Sequence, residues 1–202
     1  TKKNNNFFNS SILIDQNKKI INVKNKKNLL IFGEFYPFKE HLSKVVPIFN
    51  NFIDLSKGQN ILQEIGDIKS LVLICYEDLF RKDIHKFFKK KNPSILINIT
   101  NDIWYGETIA SYQHLMLSIA LSIETQRYLV RSTNNGVTAV VSNKGEIINM
   151  VQPFKFGTIE QEIPIITQKS KYVEYKIFID FIGILSFITF LTILFKKNLK
   201  IL

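Results

Sequence analysis

Ser70-Leu71-Val72-Leu73-Ile74-Cys75 carries five apolar residues in a row, ends on the chain's one cysteine, and runs straight into Tyr76-Glu77. An uninterrupted apolar run of this length fits a strand buried on both faces, as in a parallel sheet covered by helices. Glu77–Lys90 then reads as a helix, with Leu79, Phe80, Ile84, Phe87 and Phe88 on one side and Arg81, Lys82, Lys86 and Lys89 largely on the other. Ser94–Ile99 is a second buried strand. Ile109–Arg127 is a second helix, with Tyr112, Leu115, Met116, Ile119 and Ile123 at helical spacing. Working outward, Ser10–Asp15 and Lys19–Val23 form a hairpin across Gln16-Asn17-Lys18, and Leu29–Phe32 is a short strand closed by Gly33. Residues 37–68, broken by Pro37, Pro47, Gly58 and Gly66, read as loops with short helical pieces. Leu129–Ser132, Val137–Ser142 and Glu146–Val151 are strands separated by the turn signals Asn134-Asn135-Gly136 and Asn143-Lys144-Gly145. Strands alternating with helices and followed by hairpins predict a layered α/β domain.

Composition narrows the function classes. The chain has 202 residues, net charge +10, 46% hydrophobic residues and 17 Phe, which excludes a wholly disordered polypeptide. One Cys excludes an internal disulfide and a cysteine-only zinc site, and the three His are too scattered for a structural metal site, so no metal and no cofactor is expected. The lysines are spread along the chain with no basic helix or aromatic-basic motif, which argues against a nucleic-acid partner. An anionic lipid surface is the better use of the charge.

The reason lies at the far end. Ile177–Phe195 holds 19 residues, 14 of them Ile, Leu or Phe, and Asp180 is its one charge. As a helix it spans about 28 Å, close to the hydrocarbon thickness of a bilayer. Lys196, Lys197 and Lys200 follow, so the positive-inside tendency puts the C-terminus in the cytoplasm and the preceding residues on the opposite side. Residues 1–9 contain no apolar signal segment, and export would then depend on membrane segments upstream of Thr1.

The chemistry gathers around Cys75, where a strand gives way to helical residues. Helix N-terminal amides favour a thiolate and can donate to an oxyanion. A cysteine nucleophile also needs a base and a cation, and Glu34, Glu77 and the cluster Lys24, Lys26 and Lys27 offer both. A buried structural cysteine is the alternative reading of the position alone.

At these residues the sequence resembles the apolipoprotein N-acyltransferases of the nitrilase (carbon–nitrogen hydrolase) superfamily. Residues 25–37, from Asn25-Lys26-Lys27 through Phe32-Gly33-Glu34 to Tyr36-Pro37, resemble that family's Lys…LVPFGEYVP segment. Ile74-Cys75-Tyr76-Glu77 matches its nucleophile motif. Asn98 to Gly106 resembles its N-x-TND-x-WFG loop, and Gln113-His114, Glu124, Arg127 and Arg131 to Gly136 continue the likeness in order.

The resemblance implies a partial nitrilase-like αββα sandwich over residues 1–173, followed by one C-terminal transmembrane helix and basic tail over 174–202. It implies that Cys75 takes an acyl chain from a phospholipid donor as a thioester, that Lys26 stabilises the oxyanion, and that Glu34 orients Lys26. Tyr76 and Glu77 are supporting residues beside the nucleophile, and Trp104 and Tyr105 lie in a loop near the site. The acceptor is the N-terminal amine of a diacylglyceryl-cysteine apolipoprotein, and the location is the bacterial inner membrane with the catalytic domain in the periplasm. Ile31 and Tyr105 depart from the family's usual Pro and Phe. The family's general-base glutamate is expected upstream of Ser10, and residues 1–33 contain no Glu, so the chain reads as a C-terminal portion with little transferase activity by itself. Asn101 and Asp102 either cap their loop or touch substrate; Arg127 and Arg131 read as structural ion-pair partners, and His114 as a satisfied helix histidine. Two other functions fit the same residues: a membrane-anchored amidase, in which water resolves the acyl-enzyme, and a non-catalytic remnant.

Overall fold

A computed structural model of the chain describes residues 1–3 and 6–199. In chain order the strands and helices are β1 (Lys2–Lys3), β2 (Asn6–Phe7), β3 (Ser10–Ile14), β4 (Ile20–Asn25), α1 (Lys39–Val45), β5 (Gln63–Ile65), β6 (Ile68–Ile74), α2 (Arg81–Lys91), β7 (Ile95–Asn101), α3 (Ala110–Thr125), β8 (Leu129–Asn134), β9 (Thr138–Val141), β10 (Ile147–Val151) and α4 (Lys171–Leu199). One-turn 3-10 segments cover Pro47–Asn51, Cys75–Leu79 and Ile103–Tyr105.

Six strands form one mixed sheet in the order β10-β9-β8-β7-β6-β5. Its centre, β6, β7 and β8, is parallel, with Leu71 opposite Leu96 and Leu96 opposite Leu129, and the outer strands pair antiparallel. The two parallel crossovers are supplied by α2 and α3, as a parallel sheet requires. Alternation along β6 turns Leu71 and Leu73 toward the helices, where they share a buried core with Ile84, Phe88, Leu96, Leu115, Leu121, Leu129 and Val173. Ser70, Val72 and Ile74 therefore face the other way, and the β3–β4 hairpin packs there: Ser11 Oγ bonds Gln63 Oε1 at 3.0 Å, and Gln63 pairs with Ser70. The layers are thus helices, a six-stranded sheet, and a short second β layer.

Three expected elements differ. The helix read over Glu77–Lys90 divides at Phe80 (φ −82°, ψ 61°) into the 3-10 turn and α2, because Glu77 folds back onto the end of β6 and cannot continue a straight helix. Leu29–Phe32 is no strand. Leu30 O accepts from Gly33 N, Glu34 N and Phe35 N, and Phe32 has φ 63°, so the apolar residues form a tight turn. The region 37–68 contains β5 as well as α1, since Gly66 at φ 55° joins β5 to an N-terminal extension of β6.

The final helix is longer than the apolar run, starting at Lys171 with Val173 buried in the core. Among the described residues it is the one helix long and apolar enough to cross a membrane, and none of its apolar stretch is buried against the domain. Lys200 lies outside the described residues.

Candidate active site

The C-terminal ends of β6, β7 and β8 meet at one edge of the sheet, where parallel α/β sheets commonly place their ligands. Cys75 leaves the end of β6 at φ 56°, a left-handed conformation unfavourable for any residue with a Cβ, and it is partly exposed. Its carbonyl accepts from Asn98 Nδ2 at 2.8 Å, and Asn98 Oδ1 accepts from Arg131 Nη1 at 2.7 Å. Leu73, Asn98 and Arg131 are opposite one another across three strands. The sheet register itself thus holds the strained turn.

Lys26 follows the end of β4 and is fully buried. Its Nζ bonds Glu34 Oε2 at 2.8 Å and lies 4.9 Å from the centre of the Tyr76 ring, one residue from the thiol. Glu34 is held by three donors: Lys26, Leu30 N at 2.8 Å and Asn9 Nδ2 at 2.7 Å. The tight turn over Leu30–Phe35 is what aims it. Each neighbouring lysine has a different partner: Lys24 bonds Glu77, and Lys27 bonds Asp83 at 2.6 Å. The geometry therefore singles out Lys26 as the lysine held by Glu34.

Tyr76 donates to Leu29 O at 2.7 Å. Burial, with the negative charges of Glu34, Cys75 and Glu77 around it, pushes its phenol up to about 12, so it stays a neutral donor. Glu77 is structural. Fully buried, its carboxylate accepts from Lys24 Nζ, Lys27 N at 2.6 Å, Asn28 N at 3.2 Å and Ile74 N at 2.8 Å, fastening the end of the hairpin to the end of β6.

The Asn101–Gly106 loop has two kinds of residue. Asn101 Oδ1 accepts from Ile103 N at 3.2 Å, so Asn101 caps the turn. Asp102 is buried and bonds Arg131 Nη2 at 2.9 Å and His114 Nδ1 at 3.0 Å. Trp104 is 85% exposed, and Tyr105 packs edge-on against His114, its phenol pushed up by burial and by the charges of Asp102 and Cys75. Arg131 is an ion-pair partner as expected, to Asp102 and, at 3.6 Å, Asp78. Arg127 is not. Its guanidinium bonds the carbonyls of Pro93 and Gln168 and the Asn92 side chain, tying α2 and the approach to α4 to the sheet.

Sequence reasoning missed Asp78 and Ser118 as members of the site's support, and it named Lys24 only within a lysine cluster and Asn98 only as the start of a loop motif. Asp78 showed no signal beyond adjacency to Glu77; Asn98, a polar residue inside an otherwise apolar buried strand, was the signal available. Among the described residues no group of three or more His, Cys, Asp or Glu could hold a metal ion.

Residues 1–169 match the family model described as Carbon-nitrogen hydrolase. The chain belongs to the carbon–nitrogen hydrolase family. It is 34% identical over 212 aligned residues to an apolipoprotein N-acyltransferase of Wigglesworthia glossinidia brevipalpis, covering 97% of this chain and 42% of that protein. An apolipoprotein N-acyltransferase of Nitrosomonas europaea is 35% identical over 64% of this chain and 26% of its own length. The chain thus spans well under half the length of these relatives. Among solved structures, the glutamine-dependent NAD+ synthetase of Acinetobacter baumannii superposes with TM-score 0.57 at 19% identity over 79% of this chain and 32% of that one. A carbon–nitrogen hydrolase from Helicobacter pylori gives 0.56 at 13% identity over 76% and 56%. Both likenesses bear on the fold, which is the nitrilase-like α/β fold of the family.

Proposed function

We propose that this chain is the acyl-transferring portion of an apolipoprotein N-acyltransferase. The single observation carrying the reading is the Glu34–Lys26 pair set against Tyr76, beside a solvent-accessible cysteine in a strained strand-end turn. The Cys75 thiolate attacks the ester carbonyl of a phospholipid; the new C–S bond forms as the C–O bond breaks, and the proton shed by the thiol ends on the departing lysophospholipid hydroxyl. The Lys26 ammonium, kept charged and oriented by Glu34, balances the oxyanion of the tetrahedral intermediate. The amine of a diacylglyceryl-cysteine then attacks the thioester, forming C–N as C–S breaks, and its proton returns the thiol. Two membrane-bound substrates can use one site in turn.

In the same reading residues 1–173 belong to the catalytic domain and 174–202 form a membrane anchor with a basic tail. The site lies on the periplasmic side of a bacterial inner membrane and the C-terminus in the cytoplasm. The unburied apolar length of α4 supports the span. The test is a chimera in which residues 1–202 replace the matching stretch of the Wigglesworthia relative. In phospholipid vesicles it should carry a hydroxylamine-sensitive acyl adduct on Cys75 by mass spectrometry, absent from Cys75→Ser. A folded chimera with no adduct refutes the proposal. An adduct that water clears while an acceptor amine stays unmodified identifies an amidase instead.

A further inference from the structure

Behind Cys75, on the helix side of the sheet, four ionisable side chains are sealed from solvent: Asp78, Asp102, His114 and Arg131. Each comes from a different element. Asp78 sits in the Cys75–Leu79 turn, Asp102 at the root of the Ile103–Tyr105 turn, His114 on α3 and Arg131 on β8. His114 Nε2 lies 3.4 Å from Asp78 Oδ1, and its Nδ1 lies 3.0 Å from Asp102 Oδ1. The same Nδ1 is 2.9 Å from Arg131 Nη2. Nδ1 therefore faces an acceptor and a donor at nearly equal range, and its proton decides which of them it bonds. With the proton on, Nδ1 donates to Asp102 while Nε2 donates to Asp78, so one ring joins both carboxylates. With the proton off, Nδ1 accepts from Arg131, and Asp102 Oδ1 keeps only Thr100 Oγ1 at 3.3 Å.

Charge favours the first arrangement. Two carboxylates and one guanidinium sum to −1, and an imidazolium brings the buried group to zero. Ser118 Oγ also bonds Asp78, and Tyr105 lies edge-on to the His114 ring at 6.0 Å, so no further charge from α3 or the loop enters the balance.

We propose that His114 is a positioning residue which, as the imidazolium, clips the Trp104–Tyr105 loop to the turn that carries Cys75. The proposal takes Cys75 as the nucleophile from the reading above. It gives the loop a pH-dependent seat beside the thiol. Burial works against charge on His114, yet its bonds to Asp102 and Asp78 outweigh that and hold its pKa above the ordinary 6.5, so the clip is closed below the raised value and released as pH rises through it.

The chain offers clean reporters, since it has one Trp and three His. In detergent micelles, NMR of the imidazole rings and of the Trp104 indole N–H across pH 5–9 tests the clip. His114 should titrate with a midpoint above 6.5, and the Trp104 signal should shift with that same midpoint. In His114→Gln, whose amide holds a hydrogen bond but does not titrate, the Trp104 transition should vanish while His41 and His85 behave as before. A Trp104 signal that ignores the His114 midpoint, or a transition that survives the substitution, overturns the proposal. If His114→Gln does not fold, agreement or disagreement of the two wild-type midpoints decides alone. Neither measurement requires acyl transfer, so failure of the clip and failure of the transferase reading are told apart.

Discussion

Glu77→Gln is the sharpest test of how the site is held together. Glu77 and Lys24 are both essentially fully buried, and the carboxylate accepts from Lys24 Nζ and from the backbone amides of Lys27, Asn28 and Ile74. Glutamine keeps the shape and one oxygen. Its NH2 group must face either the ammonium and Ile74 N–H or the Lys27 and Asn28 amides, and every one of these is a donor. Lys24 is left as an unpaired buried charge. Breaking a buried pair from one side costs about 3–5 kcal/mol, against a total domain stability of about 5–15 kcal/mol. With a urea slope of roughly 2 kcal/mol per M, the unfolding midpoint should fall by about 2 M. Adding Lys24→Met removes the stranded charge and should return about half of the loss or more. Burial already holds Lys24 below its ordinary 10.5 even with Glu77 raising it. Without Glu77 the folded state binds fewer protons than the unfolded state between that lowered value and 10.5, so stability of Glu77→Gln should rise with pH across this window. Urea unfolding followed by Trp104 fluorescence in micelles measures all three. A loss under about 1 kcal/mol, a double variant as unstable as the sum of the singles, or no recovery at high pH would refute the account, because each contradicts a buried charge pair.

Other outcomes follow from single contacts. Gly58→Ala places a Cβ 2.5 Å from Asn25 Cβ and 2.6 Å from its carbonyl carbon, so it should cost about 1–3 kcal/mol by displacing the strand that leads to Lys26, read as a lower melting temperature. Gly136→Ala puts a Cβ 2.7 Å from Asp102 Cβ; it should shift the Trp104 emission and lower stability by a similar roughly 1–3 kcal/mol. Lys26→Met should abolish the Cys75 acyl adduct in the chimera while Glu34→Gln reduces it, and equal adduct in both would remove Lys26 from the oxyanion role. Glu124 is partly buried, which works against its charge, but His85 at 2.8 Å and Arg81 at 3.2 Å outweigh this and lower its pKa. Its contribution is present above the ordinary 4.5 and lost as pH falls through the lower folded value, so acid unfolding of Glu124→Gln should lack that component.

The sequence by itself determined that the central strands lie between covering layers, because unbroken apolar runs such as Leu71–Ile74 and Ile95–Ile97 can be buried only there. It also marked Cys75, Lys26 and Glu34, whose spacing sits in motifs long enough to be read in register. Tertiary structure alone decided what each charge does. Lys24, Lys26 and Lys27 look alike in a lysine-rich stretch, and only the fold brings each to a different carboxylate, 53, 8 and 56 positions away. Glu77 read as a helix-start acid, but the hairpin's amides converge on it from some 50 residues upstream. His114 read as an ordinary helix histidine, and nothing local shows that Asp78 and Asp102 close on its two nitrogens. Hydrophobic period is a property of neighbours along the chain, so it is written in the sequence. Pairing of buried charges depends on which strand ends the sheet register brings side by side, and that exists only once the chain has folded.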